Sequence, residues 1–118
     1  MATLPHTFAQ PDLLELALTH ASQKRNEDNE RMEFLGDAVL DLVVAEELYR
    51  RHPGLPEGNL TEMKAGVVSR RTLAKAAHAM GLEEIARVGG GLQRRALSRS
   101  VLANLYEAVL GAVYLDAG

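Results

Sequence analysis

An all-α fold is the class the sequence predicts, and three observations carry it. Alanine and leucine are abundant whereas alternating β-branched runs are scarce. The four prolines, at 5, 11, 53 and 56, fall outside every long periodic segment. The longest such segment, NERMEFLGDAVLDLVVAEELY (residues 29–49), is mostly apolar at helical spacing. With 118 residues, 47% of them hydrophobic, the chain suits one domain over residues 1–118 with a modest core.

The elements follow in order. Pro11 suits the first turn of a short helix, where its missing N–H is harmless, and Leu13, Leu14, Leu16, Ala17 and Leu18 carry that helix to an expected end near Ala21. The polar run SQKRNEDN (22–29) reads as a loop, with Asn29 able to cap the long second helix and Glu30 well placed at its positive end. HPGLPEG (52–58) breaks that helix. Asn59 can cap a third helix through LTEMKAGVV, and Ser69 can cap RRTLAKAAHAM, whose stop is Gly81; one bent helix or two both fit. A brief helix in LEEIARV leads to a turn at Gly89, Gly90 and Gly91, a basic loop LQRRALSR, and a last helix from about Ser100.

Composition excludes several classes. Without cysteine there is neither a disulfide framework nor a thiolate metal site, so any metal must use oxygen or histidine. The N-terminal MATLPHTFAQ has no basic region followed by an apolar core, and no window approaches the roughly 18 apolar residues of a membrane span, so a cytoplasmic protein without membrane contact is expected. The net charge of -3 argues against a high-affinity nucleic-acid binder acting through overall charge, and leaves room for local basic patches.

Glu30, Glu33, Asp37 and Asp41 line one side of the second helix at about 100° per residue, while Leu35, Ala38, Val39, Leu42 and Tyr49 share another, apolar face. A solvated acidic face is the simple reading. Yet Glu33 with Asp37, and Asp37 with Asp41, are like-charge i,i+4 pairs with no lysine or arginine on that face to offset them. A positive charge should therefore come from outside the helix.

The last helix sharpens the point. From Val101 to Leu115 only Asn104, Glu107 and Gly111 stand outside the hydrophobic set, so Glu107 lies in a largely buried helix. A buried carboxylate costs several kcal/mol unless it is ion-paired, protonated in a core hydrogen bond, or bound to a cation. All three remain open on sequence grounds. In the cation reading, Asn104 with Glu107 and Glu33 with Asp37 project as two facing pairs and make an oxygen cage. Such donors suit Mg²⁺ or Mn²⁺ rather than zinc, and phosphoryl chemistry.

These residues resemble the signature of the ribonuclease III family: its His-x-Ser followed by Asn-Glu-Arg-Leu-Glu-Phe-Leu-Gly-Asp stands here as HAS (20–22) and NERMEFLGD (29–37). The resemblance continues through LPEGNLTEMKAGVVSRRTLA and SVLANLYEAVLGAVYLD, nearly the whole chain. It implies an all-α homodimer that uses Mg²⁺ (or Mn²⁺) to hydrolyse double-stranded RNA, each subunit cutting one strand to leave 5′ phosphates and short 3′ overhangs. By motif position, Glu33 and Asp37 are the metal-binding acids of the signature helix and Glu107 the metal-ligating acid of the last. Asn104 stands where the family more commonly has aspartate. Its amide keeps a carbonyl oxygen but loses a charge and replaces an acceptor by a donor, which weakens or silences the site if that charge is required.

The same resemblance makes Phe34 an aromatic knob for the partner subunit, although composition alone reads it as core. It places Glu30 and Glu57 beside the cleft. Arg70, Arg71, Arg94, Arg95 and Arg99 are candidate RNA contacts; as isolated charges they would be solvated or partner helix ends. Duplex RNA is read mainly through shape, phosphates and 2′-hydroxyls, so weak sequence specificity is expected. His20, with no second histidine at ligand spacing, is expected to be structural.

The resemblance implies that a typical bacterial member continues past YLDAG into a separate double-stranded-RNA-binding domain; no such domain is expected within residues 1–118, whose own RNA binding should then be weak and steeply salt-dependent. Two rivals stand beside the nuclease reading. One is a non-catalytic relative that binds RNA or assembles, which Asn104 permits. The other is a Mg²⁺-dependent nucleotide pyrophosphatase, which also uses acidic pairs on helices; the continuous signature speaks against it.

Overall fold

The computed structural model describes residues 4–20, 27–89 and 97–118. Among these residues it is all helical: α1 (Pro11–Ala17), α2 (Glu30–Arg51), α3 (Glu57–Val67), α4 (Arg70–Ala79), α5 (Leu82–Ile85) and α6 (Arg99–Ala117). The only extended pairing among them is a single parallel bridge, Thr19 with Arg87. No helix among the described residues is long and apolar enough to cross a membrane.

α6 is the axis of the fold, and α1, α2, α4 and α5 all pack on it. Alanines allow this crowding: Ala17, Ala77, Ala103, Ala108 and Ala112 are fully buried, so neighbouring helices approach to nearly backbone distance. Leucines fill the remaining gaps, with Leu82 and Leu105 fully buried and Leu40 and Leu73 joining Ala103 in a second cluster. The tightest approach is where α2 crosses α6. A Cβ at Gly36 would lie 1.7 Å from the carbonyl oxygen of Glu107, and one at Gly111 would lie 2.6 Å from that of Met32. Only glycine fits either position.

Several caps follow the sequence and others do not. Ser69 Oγ accepts from Thr72 N (3.2 Å), so the 59–80 stretch is two helices, and Gly81 adopts a left-handed conformation (φ 71°) just past the second. Ser98 caps α6 in the same way, accepting from Val101 N. Asn59, expected as a cap, instead lies inside the first turn of α3, which begins at Glu57 after Pro56. α1 ends at Ala17 rather than near Ala21. Thr19 Oγ1 bonds back to Glu15 O, and the chain then straightens, with Arg87 N donating to Leu18 O and His20 N to Arg87 O.

Asn29 does precede α2, but its side chain makes no cap bond. It is buried and its Nδ2 donates to Ala17 O at 2.9 Å, satisfying a carbonyl at the end of α1; Asp28 Oδ1 accepts from Glu30 N in its place.

The apolar face expected for α2 is not the one it buries. Met32, Gly36, Leu40 and Leu48 are buried, forming a seam at i,i+4 spacing. Leu35 and Val39 are half-buried, whereas Ala38, Leu42 and Tyr49 are exposed. α2 carries two apolar strips, and the one containing Gly36 wins α6 because no side chain holds the helices apart there.

Candidate active site

The Gly36–Gly111 crossing sets the acidic residues. The acids of α2 border its buried seam, and α6 presents Glu107 about one turn and Asn104 about two turns before Gly111, so the two helices bring their polar residues to one side of the contact. Glu107 is the most constrained, only 6% exposed among apolar neighbours. Burial first, then a hydrogen bond and the charge of Asp37, push its carboxyl up from 4.5 to about 7, against the opposing pull of Arg70. Glu33 is pushed up as well, by burial and then by the charge of Glu30, again opposed by Arg70.

The positive charge demanded by the acidic stripe does come from other helices. Lys64 of α3 pairs with Asp41 at 3.4 Å. Arg70, the first residue of α4, donates through Nη1 to Glu107 Oε1 (3.1 Å) and through Nη2 to Ser100 O (2.9 Å) and to Asn104 Oδ1. Of the alternatives left open for Glu107, the contact with an arginine is thus realised, and Asp37 is near enough to push the Glu107 carboxyl up.

The oxygen cage expected from the sequence is not closed. Among the described residues no group of three or more Asp, Glu or His side chains is gathered as a ready-made metal site. Asp37 acts on Glu107 through its charge, Glu33 lies within electrostatic reach of Arg70, and the Arg70 guanidinium holds the α6 pair. The chemistry of the donors nonetheless fits a hard divalent ion. All are oxygens, and Glu107 is crowded and desolvated enough to retain its proton near neutrality, a state that a dication would relieve.

The other expected residues are placed as follows. Glu30 and Glu57 are exposed in the first turns of α2 and α3, and Glu30 touches the site only through its charge on Glu33. Arg70, grouped with the RNA contacts, is committed to the acidic site. Arg71 and Arg99 are exposed and line a shallow groove between α4 and α6 with Lys75, His78, Ala74 and Leu102. Arg94 and Arg95 lie outside the described residues. Phe34, read as core by composition, is 81% exposed. It continues into Ala38, Leu42, Ala45 and Tyr49, an outward apolar stripe.

Four contributions to the site escaped the sequence reading. Lys64, and the pairing of Arg70 with Glu107 rather than with RNA, gave no signal, since a cation on another helix has no fixed spacing to its acid. Gly36 and Gly111 did signal: a glycine costs about 1 kcal/mol in a helix and calls for a packing reason.

The residues from 10 to 118 match the family description "Ribonuclease-III-like". The chain is 50% identical to "Ribonuclease 3" of Albidiferax ferrireducens over 99% of its own length, and 43% identical to that of Coxiella burnetii over 100% of it. It spans about half the length of these relatives, 52% and 51%. Among solved structures it is similar to the nuclease domain of ribonuclease III from Campylobacter jejuni, described as having structural flexibility in a region involved in dimer formation. The TM-score is 0.91 at 38% identity, covering 96% of this chain and 80% of that one. Dicer from Pichia stipitis is similar at TM-score 0.73 and 28% identity, over 96% of this chain and 49% of that one.

Proposed function

The chain belongs to the ribonuclease-III-like family, and from that premise we propose that it is the endonuclease domain of a metal-dependent enzyme hydrolysing double-stranded RNA in the cytoplasm. The observation that carries this reading is the glycine crossing, where α2 at Gly36, next to Asp37, lies against the backbone of Glu107, whose carboxylate accepts from Arg70. Glu33, Asp37, Asn104 and Glu107 would hold Mg²⁺ or Mn²⁺. When bound, such an ion supplies a more acidic water and charge stabilisation on the phosphodiester.

The chain's own residues do the rest. The backbone contact of α2 with α6 fixes the separation of the two donor pairs, Glu33 with Asp37 and Asn104 with Glu107, and the apolar surroundings of Glu107 keep its charge from being dissipated by water. Asn104 offers an amide oxygen where a carboxylate is commoner, which lowers the pull on a cation by one charge. Glu30 and Glu57 flank the cleft. Arg71 and Arg99, with Arg94 and Arg95 beyond the described residues, meet phosphates; these contacts position a duplex without reading its sequence.

The outward stripe of α2 supports the homodimer. Phe34, Leu42 and Tyr49 are 81%, 68% and 73% exposed in one stripe, the kind of contiguous apolar surface that marks an interaction site, and a second copy would cover it, with Phe34 as the anchor. One active site from each subunit then cuts one strand, leaving 5′ phosphates and short 3′ overhangs.

The test is cleavage of a long RNA duplex at low salt, with and without Mg²⁺, comparing the chain with Asn104→Asp. Metal-dependent cutting by both, faster in the aspartate variant, is expected. Cutting by the aspartate variant alone would support a non-catalytic relative silenced at Asn104, a reading that the bond from Arg70 to Asn104 favours. No metal-dependent cutting by either would overturn the nuclease reading.

A further inference from the structure

Arg70 is an arginine at the wrong end of its helix. It is the first residue of α4, directly after the Ser69 cap, and Arg71 follows it; the first turn contains no acid. The unpaired N–H groups there carry partial positive charge, so two guanidinium groups at that end are repelled by their own helix. Arg70 is instead drawn across to α6, where Asn104 Oδ1, Glu107 Oε1 and Ser100 O accept its N–H groups. It does this while 44% exposed, so a rotation about its own side-chain bonds returns it to solvent without disturbing the core.

We propose that Arg70 is an internal stand-in for the divalent ion: in the metal-free chain its guanidinium holds Asn104 and Glu107, and it leaves when the ion binds. The inference rests on the metal-site reading above. The two cations claim the same oxygens, and a guanidinium and a dication a few ångströms apart repel each other strongly in a partly desolvated site. Asn104 matters to this competition. A neutral amide oxygen does not bring enough charge to hold both cations, so one must go. Arg70 thereby keeps the α6 donors ordered before the ion arrives, and it sets the concentration at which the site fills.

The test is Mn²⁺ binding, read from the loss of free-ion paramagnetic resonance signal, together with thermal melting with and without Mn²⁺. It compares the unaltered chain with Arg70→Ala, Arg70→Gln and Arg71→Ala, each first shown to be helical by circular dichroism. Both Arg70 variants should fill with Mn²⁺ at a several-fold lower concentration than the unaltered chain. Both should also melt lower without metal and regain that loss when Mn²⁺ is added. Arg71→Ala removes the same charge one residue along and should change binding much less. An equal gain in Arg71→Ala would overturn the proposal by reducing the effect to net charge. Weaker binding in both Arg70 variants would also overturn it, making Arg70 a positioning residue that stays in place. Absence of Mn²⁺ binding in every variant and in the unaltered chain would instead remove the metal-site reading, and this proposal with it.

Discussion

The two apolar sides of α2 have similar chemistry and opposite fates. Its inner seam meets α6 at Gly36 and Gly111 with backbone against backbone, while its outer stripe leaves Phe34 and Tyr49 81% and 73% exposed. Hydrophobicity does not separate them, since the outer stripe has the larger side chains. What separates them is a notch. A glycine pair lets two helices approach closely and gain many dispersion contacts, whereas bulky residues need a partner surface shaped to receive them. The inner side therefore builds the monomer and its acidic site, and the outer side is left exposed.

The largest expected effect comes from filling the notch. Gly36→Ala places a methyl group 1.7 Å from the Glu107 carbonyl oxygen, so α2 and α6 must part. The overpacking should exceed the roughly 1 kcal/mol gained in helix propensity and cost about 3 kcal/mol in urea unfolding, with metal-dependent activity lost alongside. Gly111→Ala, at 2.6 Å from Met32 O, should cost less.

On the outer side the same size of change should spare the fold. Phe34→Asp is expected to alter monomer stability by no more than about 0.5 kcal/mol, yet weaken self-association by about 2 kcal/mol in sedimentation equilibrium. If it unfolded the monomer, the contrast between the two sides would be wrong.

A subtler effect distinguishes the inner side by pH. Glu107 holds its proton to about 7 when folded and to 4.5 ordinarily, so between those values the folded chain binds more protons than the unfolded one. The contribution of Glu107 to the stability of the metal-free protein should therefore be full below about 4.5 and be lost as pH rises through 7. Glu107→Gln should flatten that slope in thermal melts and abolish metal-dependent cleavage, and an unchanged slope would place the titration elsewhere.

The smallest effect lies away from both sides. Asp116, near the end of α6, pairs with His6 at 2.7 Å and accepts from Ala9 N and Gln10 N at 2.9 Å, and these bonds, that to His6 foremost, hold its carboxyl below the usual range. Asp116→Asn should leave the acidic site untouched and only speed hydrogen exchange at the Ala9 and Gln10 amides.

Much of this molecule is written locally. The proline positions, the Ser69 cap, the Gly81 stop and the continuous NERMEFLGD signature specified helices, breaks and family, because caps, propensities and motifs depend on residues a few positions apart. Sequence alone also called for a positive charge from outside the acidic stripe and for a partner to Glu107, whether an ion pair, a hydrogen bond or a metal, since like charges at helical spacing and a carboxylate in an apolar helix are costly wherever they end up. Tertiary structure decided the rest. It chose which strip of α2 is buried, turned Asn29 from a cap into a tie to Ala17, and supplied Arg70 and Lys64 from helices distant in the chain. Those choices depend on the shape and charge of a surface that exists only after the helices have packed, and no periodicity within one segment encodes them.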